Sequence, residues 1–194
     1  EIGEDTSFTG IIRDISVRRQ TEIAVRESQA RYEHIFQNAG VAIKVEDFSQ
    51  VKAAIDGLKA QGIENFLSYF NENPDFISQA AQLVRICAVN QTALDLFGAR
   101  DKVDLLKNLA AVFVPETLEI FQEELLAIAN SERYFEAETI NCTLGGERIN
   151  VFVTMVFPED SDPFDDVLVS VTNITERVRL EQETKTRAEL MGQL

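Results

Sequence analysis

The sequence predicts an α+β domain in which helices gather on one face of an antiparallel sheet. Three observations carry this. Two short β-type runs, at 40–45 and 84–89, enclose a string of helical patterns, and a longer helical pattern follows Pro115. Three further β-type runs, at 134–144, 147–157 and 167–174, then come in succession as a meander; Leu144-Gly145-Gly146-Glu147 is a two-residue hairpin signal between the first two. The third is a repeat. An apolar run followed by Asp14-Ile15-Ser16 and a charged helical stretch returns near the other end. Asn173 matches Asp14 there, Thr175 matches Ser16 and Glu181 matches Glu22. A single long-period repeat of this kind is the mark of modules in tandem.

Length and composition set the frame. The 194 residues hold one domain of about 100–150 residues plus helical extensions. A hydrophobic content of 45% suits a packed core. The net charge of −15 argues against nucleic acid and anionic membrane as partners, since both need a basic footprint. No apolar run approaches the ~18–20 residues that span a bilayer, so a cytoplasmic chain, or the cytoplasmic part of a larger protein anchored elsewhere, is expected. Cys87 and Cys142 lack a metal-type spacing and read as reduced core thiols.

Residues 1–15 read as the last strand of a preceding module, and 16–37 as a connecting helix free of Gly and Pro, with Ser16 as N-cap. Thr21, Val25, Ser28, Tyr32 and Ile35 are spaced 4, 3, 4, 3, a heptad seam, with Arg18, Arg19, Glu22, Arg26, Glu27, Arg31 and Glu33 mainly off it. Two readings stand. The helix lies on its own domain, or it pairs in parallel with a second copy; the expectation carried forward is a homodimer through this seam.

After the first strand, Asp47 with Gln50 resembles a capping box, and Phe48, Val51, Ile55 and Leu58 form one apolar helical face. Phe66, Leu67 and Phe70 mark a short apolar turn. Asn73-Pro74 then starts a third helix, with Phe76, Ile77, Ala80 and Leu83 inward. Asn90 opens a helix that ends at Gly98, and 101–109 adds a turn or two. The helix from Pro115 carries Val114, Leu118, Phe121, Leu125 and Ile128 as its buried face. The five acids and two prolines of 158–166 predict an exposed loop.

Little in the sequence suggests catalysis or a metal. His34 is the only histidine, and no basic-Pro step follows it as in a kinase phosphoacceptor motif, so a structural role is expected. No Ser-His-Asp set can be assembled around it. Gly145-Gly146 precedes no Lys-Ser/Thr, and the acids at Glu159, Asp160, Asp162, Asp165 and Asp166 lack EF-hand spacing.

The stretches RYEHIFQNAGVAI, VNQTALDLFG, FEAETINCTLGGERINVFVTMVFP and VSVTNITER come in an order that resembles a PAS domain, the sensory module of bacterial signalling proteins. FTGIIRDISVRRQ is similar to the tail of another. The resemblance implies a five-stranded antiparallel sheet with a helical cap, often dimeric, feeding a histidine kinase or a diguanylate cyclase outside this chain. The module is then 38–175, with 176–194 as exit helix, and adjacent PAS and output domains of the same protein are its partners. Residues 47–83 fall outside the resemblance and read as a helical insertion. Flavin-binding members carry a cysteine where this chain has KNLAAVF, and haem-binding members supply a histidine from the helix after Pro115; both cofactors are disfavoured here. Cys87, Asn90, Phe97, Phe113, Phe121, Phe135 and Phe152 remain, either as a filled core, hence a spacer or interaction module, or as the lining of a pocket for a small organic ligand. Signal exit is expected at Asn173 and Thr175, with Thr175 capping the exit helix; Asn173 stands where the family usually has Asp.

Overall fold

The structure, a computed structural model, describes residues 16–159 and 162–191 and divides into two units, 1–36 and 37–194. The strand expected in 1–15 lies outside the described residues. Helix α1 (Ser16–Gln37) forms the described part of the first unit and ends at the first residue of the second. Its seam is open to solvent: Thr21 and Ser28 are exposed, and Val25, Tyr32 and Ile35 are 50%, 61% and 63% exposed. Within the helix, Arg18 pairs with Glu22 at 2.8 Å and Tyr32 stacks on Phe36 with centroids 5.9 Å apart. Such neighbours add only about 0.2–0.5 kcal/mol each, so α1 offers an apolar face without supplying its own cover.

The second unit is built on a sheet of β1 (Ala42–Asp47), β2 (Arg85–Val89), β3 (Tyr134–Cys142), β4 (Arg148–Val156) and β5 (Val167–Asn173), in the order β2-β1-β5-β4-β3. All neighbours are antiparallel. Period-2 alternation turns Ile149, Val151, Val153 and Met155 of β4 and Val167, Val169 and Val171 of β5 to the buried face. The hairpin between β3 and β4 corrects the two-residue expectation. The Gly146 amide donates to the Thr143 carbonyl at 2.9 Å, and the Thr143 amide to Glu147 at 2.8 Å. Three residues therefore make the loop, and Gly146 takes the left-handed position at φ 85°, the three-residue form that ends in a left-handed residue.

Between β1 and β2 lie α2 (Ser49–Ala60), α3 (Phe66–Glu72) and α4 (Pro74–Leu83). Phe48, Val51, Ile55 and Leu58 are buried as the spacing predicts. Asp47, however, ends β1 and builds no box with Gln50. Its carboxylate accepts from the Ser49 amide at 2.9 Å and from Arg85 at 2.5 Å across the strand pair. Asn73 likewise precedes Pro74 without capping by its side chain, whose amide donates to the Tyr69 carbonyl. Phe70 is wholly buried and stacks on Phe76 with centroids 5.6 Å apart; Leu67 points outward.

Helices α5 (Gln91–Phe97), α6 (Lys102–Lys107), α7 (Leu109–Val112) and α8 (Pro115–Ala129) follow β2. Asn90 caps α5 through Ala93, and Gly98 closes it at φ 70°. Helix α8 packs on β3, and α2, α3 and α4 pack on α8. The segment 158–166 is not wholly an exposed loop. Phe164 is buried, stacks on Phe157, and its carbonyl accepts from the Phe48 amide at 2.6 Å. Among the described residues no helix is long and apolar enough to cross a membrane.

Candidate functional site

A cavity of about 70 Å³ lies between α8 and the sheet. The floor comes from Val153 and Met155 of β4 and Val169 and Val171 of β5. Leu118, Ile120 and Phe121 of α8, with Phe48, Ala81, Val84, Ile86, Leu109 and Phe113, close the apolar wall. Most of this is ordinary core chemistry. The polar part is not.

Strand β1 is inverted relative to an amphipathic strand. Lys44 and Glu46, two residues apart and so on one face, line the cavity. They pair at 2.7 Å, with side chains 15% and 9% exposed. Taking two charges out of water costs several kcal/mol per ion before their attraction is counted, so an ion pair here is no economical way to fill a core. Glu124 of α8 faces the same space. It stands three residues after Phe121 and seven after Thr117, on the buried stripe of the helix. Glu124 as a whole is half-buried, but its carboxyl sits in desolvated surroundings. Burial, with a smaller push from Glu46 and opposed by Lys44, raises its pKa from the ordinary 4.5 to about 8. The carboxyl is therefore protonated at neutral pH. Thr117, Thr139 and Asn141 complete the polar lining. The Thr117 hydroxyl bridges the Ile140 carbonyl at 2.8 Å and Asn141 Oδ1 at 3.2 Å, which leaves the Asn141 amide hydrogens directed to no partner among the described residues.

Of the seven residues proposed from sequence as a pocket, Phe113 and Phe121 line this cavity and five do not. Cys87 is exposed, which corrects its reading as a core thiol: Ile86 takes the inward position on β2, and alternation turns Cys87 out. Cys142 is half-buried. Asn90 is fully buried but already occupied, donating to Val41 and accepting from Ile43 and Ala93, and so ties β1 to α5. Phe97 is a buried core residue, Phe135 packs against the core edge, and Phe152 alternates away from the buried Val151 and Val153. No cysteine or histidine lines the cavity, and among the described residues no cluster of His, Cys, Asp and Glu is arranged to hold a metal ion.

At the other end of the sheet, α9 (Thr175–Met191) starts directly after β5. Thr175 corrects the capping expectation. Its hydroxyl accepts from the Asn150 amide of β4 at 2.9 Å, while the Ile174 carbonyl takes the Val178 amide and Asn173 Oδ1 the Thr175 amide. Arg177 adds an ion pair to Glu138 of β3 at 2.5 Å. The first turn of α9 is thus fixed to two strands, and Leu180 beyond it is 50% exposed.

No family model matches the sequence, and no curated protein matches it. Solved structures do resemble it in fold. The PAS domain of an HTR-like protein from Haloarcula marismortui is 18% identical, with a TM-score of 0.51 over 81% of this chain and 100% of that one. An RNA-binding light-oxygen-voltage receptor is 14% identical, with a TM-score of 0.52 over 96% of this chain and 42% of its own. The five-stranded antiparallel sheet, the helices laid over one face and these structural matches together establish that the chain has the PAS fold.

Proposed function

We propose that this chain is a non-catalytic sensor and dimerisation module that relays the state of its cavity to an output domain elsewhere in the same protein. The observation that carries the reading is the polar lining. A closed core serving as a spacer gains nothing from Lys44, Glu46 and Glu124 around an opening, whereas a binding site uses a few placed polar groups in an apolar wall. The one amine of the lining, Lys44, is held in an ion pair by Glu46, which favours a binding role over a catalytic one. Residues 1–15 are the tail of a preceding module, 16–37 the connecting helix that pairs two copies, 38–175 the sensor with 47–83 as an added helical lobe, and 176–194 the exit helix. The output is a histidine kinase or a diguanylate cyclase. Flavin and haem are disfavoured as its ligands, since a cavity of about 70 Å³ is about half of what a benzene-sized ligand occupies.

The test is mass spectrometry of the small molecules released when the natively purified chain is denatured, with a Met155→Phe variant that fills the cavity as control. The reading predicts a molecule held by the wild type and lost from the variant. Equal recoveries, or none from either protein, would favour a closed-core spacer.

A further inference from the structure

The polar groups around the cavity are unequally paired. Lys44 and Glu46 already satisfy each other at 2.7 Å, and Glu124 is a second carboxyl with no hydrogen-bond partner among the described residues. Other charged residues of the elements packed on α8, such as Lys52 and Asp56 of α2, Glu72 of α3, Asp75 of α4 and Glu136 and Glu138 of β3, lie outside the lining. Lys52 and Asp56 also pair with each other. One carboxyl thus has no counter-group in a largely apolar space, and Asn141, 93% buried by its 7% exposure, offers an unused amide donor at the same cavity.

Building on the reading of the cavity as a sensor site, we infer that its ligand is a small aliphatic amine, bound as the ammonium, with its charge on Glu124 and its short apolar body against Phe121, Met155 and Val169. Once Glu124 gives up its proton, an ammonium supplies the counter-charge and the hydrogen-bond donors that its carboxylate accepts. A carboxylate ligand would add a third acid to a lining with one base, and a hydrocarbon would leave the Glu124 carboxyl without a hydrogen-bond partner. Size narrows the class further. A cavity of about 150 Å³ holds benzene, so 70 Å³ accommodates roughly three or four non-hydrogen atoms. Binding also moves a proton. Before binding, Glu124 carries one at neutral pH; the entering ammonium keeps its own, and the Glu124 proton leaves to buffer, so about one proton is released per amine bound.

The experiment is isothermal titration calorimetry of the 194-residue chain at pH 7 with n-propylamine and with 1-propanol, an isostere of equal size that is neutral. Titrations in phosphate and in Tris count the protons released. Ligands this small bind at about 0.1–10 mM. The inference predicts that the amine binds at least tenfold more tightly than the alcohol and releases close to one proton. It also predicts that Glu124→Gln weakens the amine at least tenfold and abolishes the proton release. The wild-type comparison and the proton count hold even where the variant does not fold. Equal binding of both ligands would overturn the amine assignment and leave the sensor reading standing. No binding of either would remove the assignment and deprive the sensor reading of its cavity.

Discussion

Replacing Glu124 by Gln should stabilise the protein, by an amount that grows with pH. The folded carboxyl titrates at about 8 and the unfolded one at its ordinary 4.5. Between those values the folded state holds a proton that the unfolded chain has released, so stability falls as pH rises through the window. One pKa unit corresponds to about 1.4 kcal/mol. The cost of burying Glu124 is therefore under ~1 kcal/mol at pH 5, about 3 kcal/mol at pH 7, and levels off near 5 kcal/mol above pH 9. Gln keeps the shape and has nothing to titrate. Acids held below their ordinary range act in the opposite sense. Asp47, held by the Ser49 amide and Arg85, and Asp104, brought to about 2 by Arg100, contribute stability that is lost as pH falls through their folded values. The difference between wild type and variant cancels those contributions. Urea unfolding of both proteins at pH 5, 6, 7 and 8 gives that difference directly. A difference that stays flat across the range would mean that Glu124 is solvated in the folded state, and the desolvated site described above would be wrong.

Three other perturbations probe the parts around the cavity. Phe70→Ala removes a fully buried ring from the α3–α4 contact and should cost about 3–5 kcal/mol, lowering the urea midpoint by about 1.5–2.5 M; a local loss of protection with an unchanged midpoint would make 47–83 a separate lobe. Thr175→Val deletes the hydroxyl that accepts from the Asn150 amide at 2.9 Å and should cost about 1–3 kcal/mol, with faster hydrogen exchange at Asn150, whereas unchanged exchange would show that the contact does not hold α9 to β4. Val25→Asp places a charge in the α1 seam and should weaken the proposed dimer about a hundredfold or more in sedimentation, since each buried Val contributes about 1.5–3 kcal/mol; an unaltered dimer mass would take α1 out of the interface.

The elements were readable because each carries its own period or punctuation. Phe48, Val51, Ile55 and Leu58 announce α2, and Asn90 with Gly98 brackets α5 at both ends. The cavity was not readable in the same way. Phenylalanine content points to the core in general: Phe97 and Phe135 pack there, Phe152 alternates to the other sheet face, and the neighbouring Asn90 and Cys87 tie β1 to α5 and face solvent respectively. The polar lining did leave a trace that pattern-reading for apolar faces passes over. In Ala42-Ile43-Lys44-Val45-Glu46 the buried Ala42 shares its parity with Lys44 and Glu46, and Glu124 interrupts the stripe of Phe121, Leu125 and Ile128 at helical spacing. Which parity of β1 faces inward is decided by the long-range pairing of Ala42 with Val171 and Lys44 with Val169, and a single strand does not encode that choice. The hairpin loop length and the Thr175 hydroxyl bond were hidden for a related reason, since both depend on the register of β4 against its neighbours.

Relay through α9 is the claim on which the sensor reading stands or falls. The helix leaves the sheet with its first turn fixed by Asn150 and Glu138. A rigid rod of that kind transmits angle. With about 3.6 residues per turn, seven residues inserted after Glu183 rotate the downstream domain by only about 20°, and four rotate it by about 40° in the other sense. The decisive measurement is the regulated output of the protein that carries this chain, compared between these two insertions. The account predicts that the seven-residue insertion preserves regulation and the four-residue insertion locks or abolishes it. Equal regulation in both would show α9 to be a tether and contradict the account.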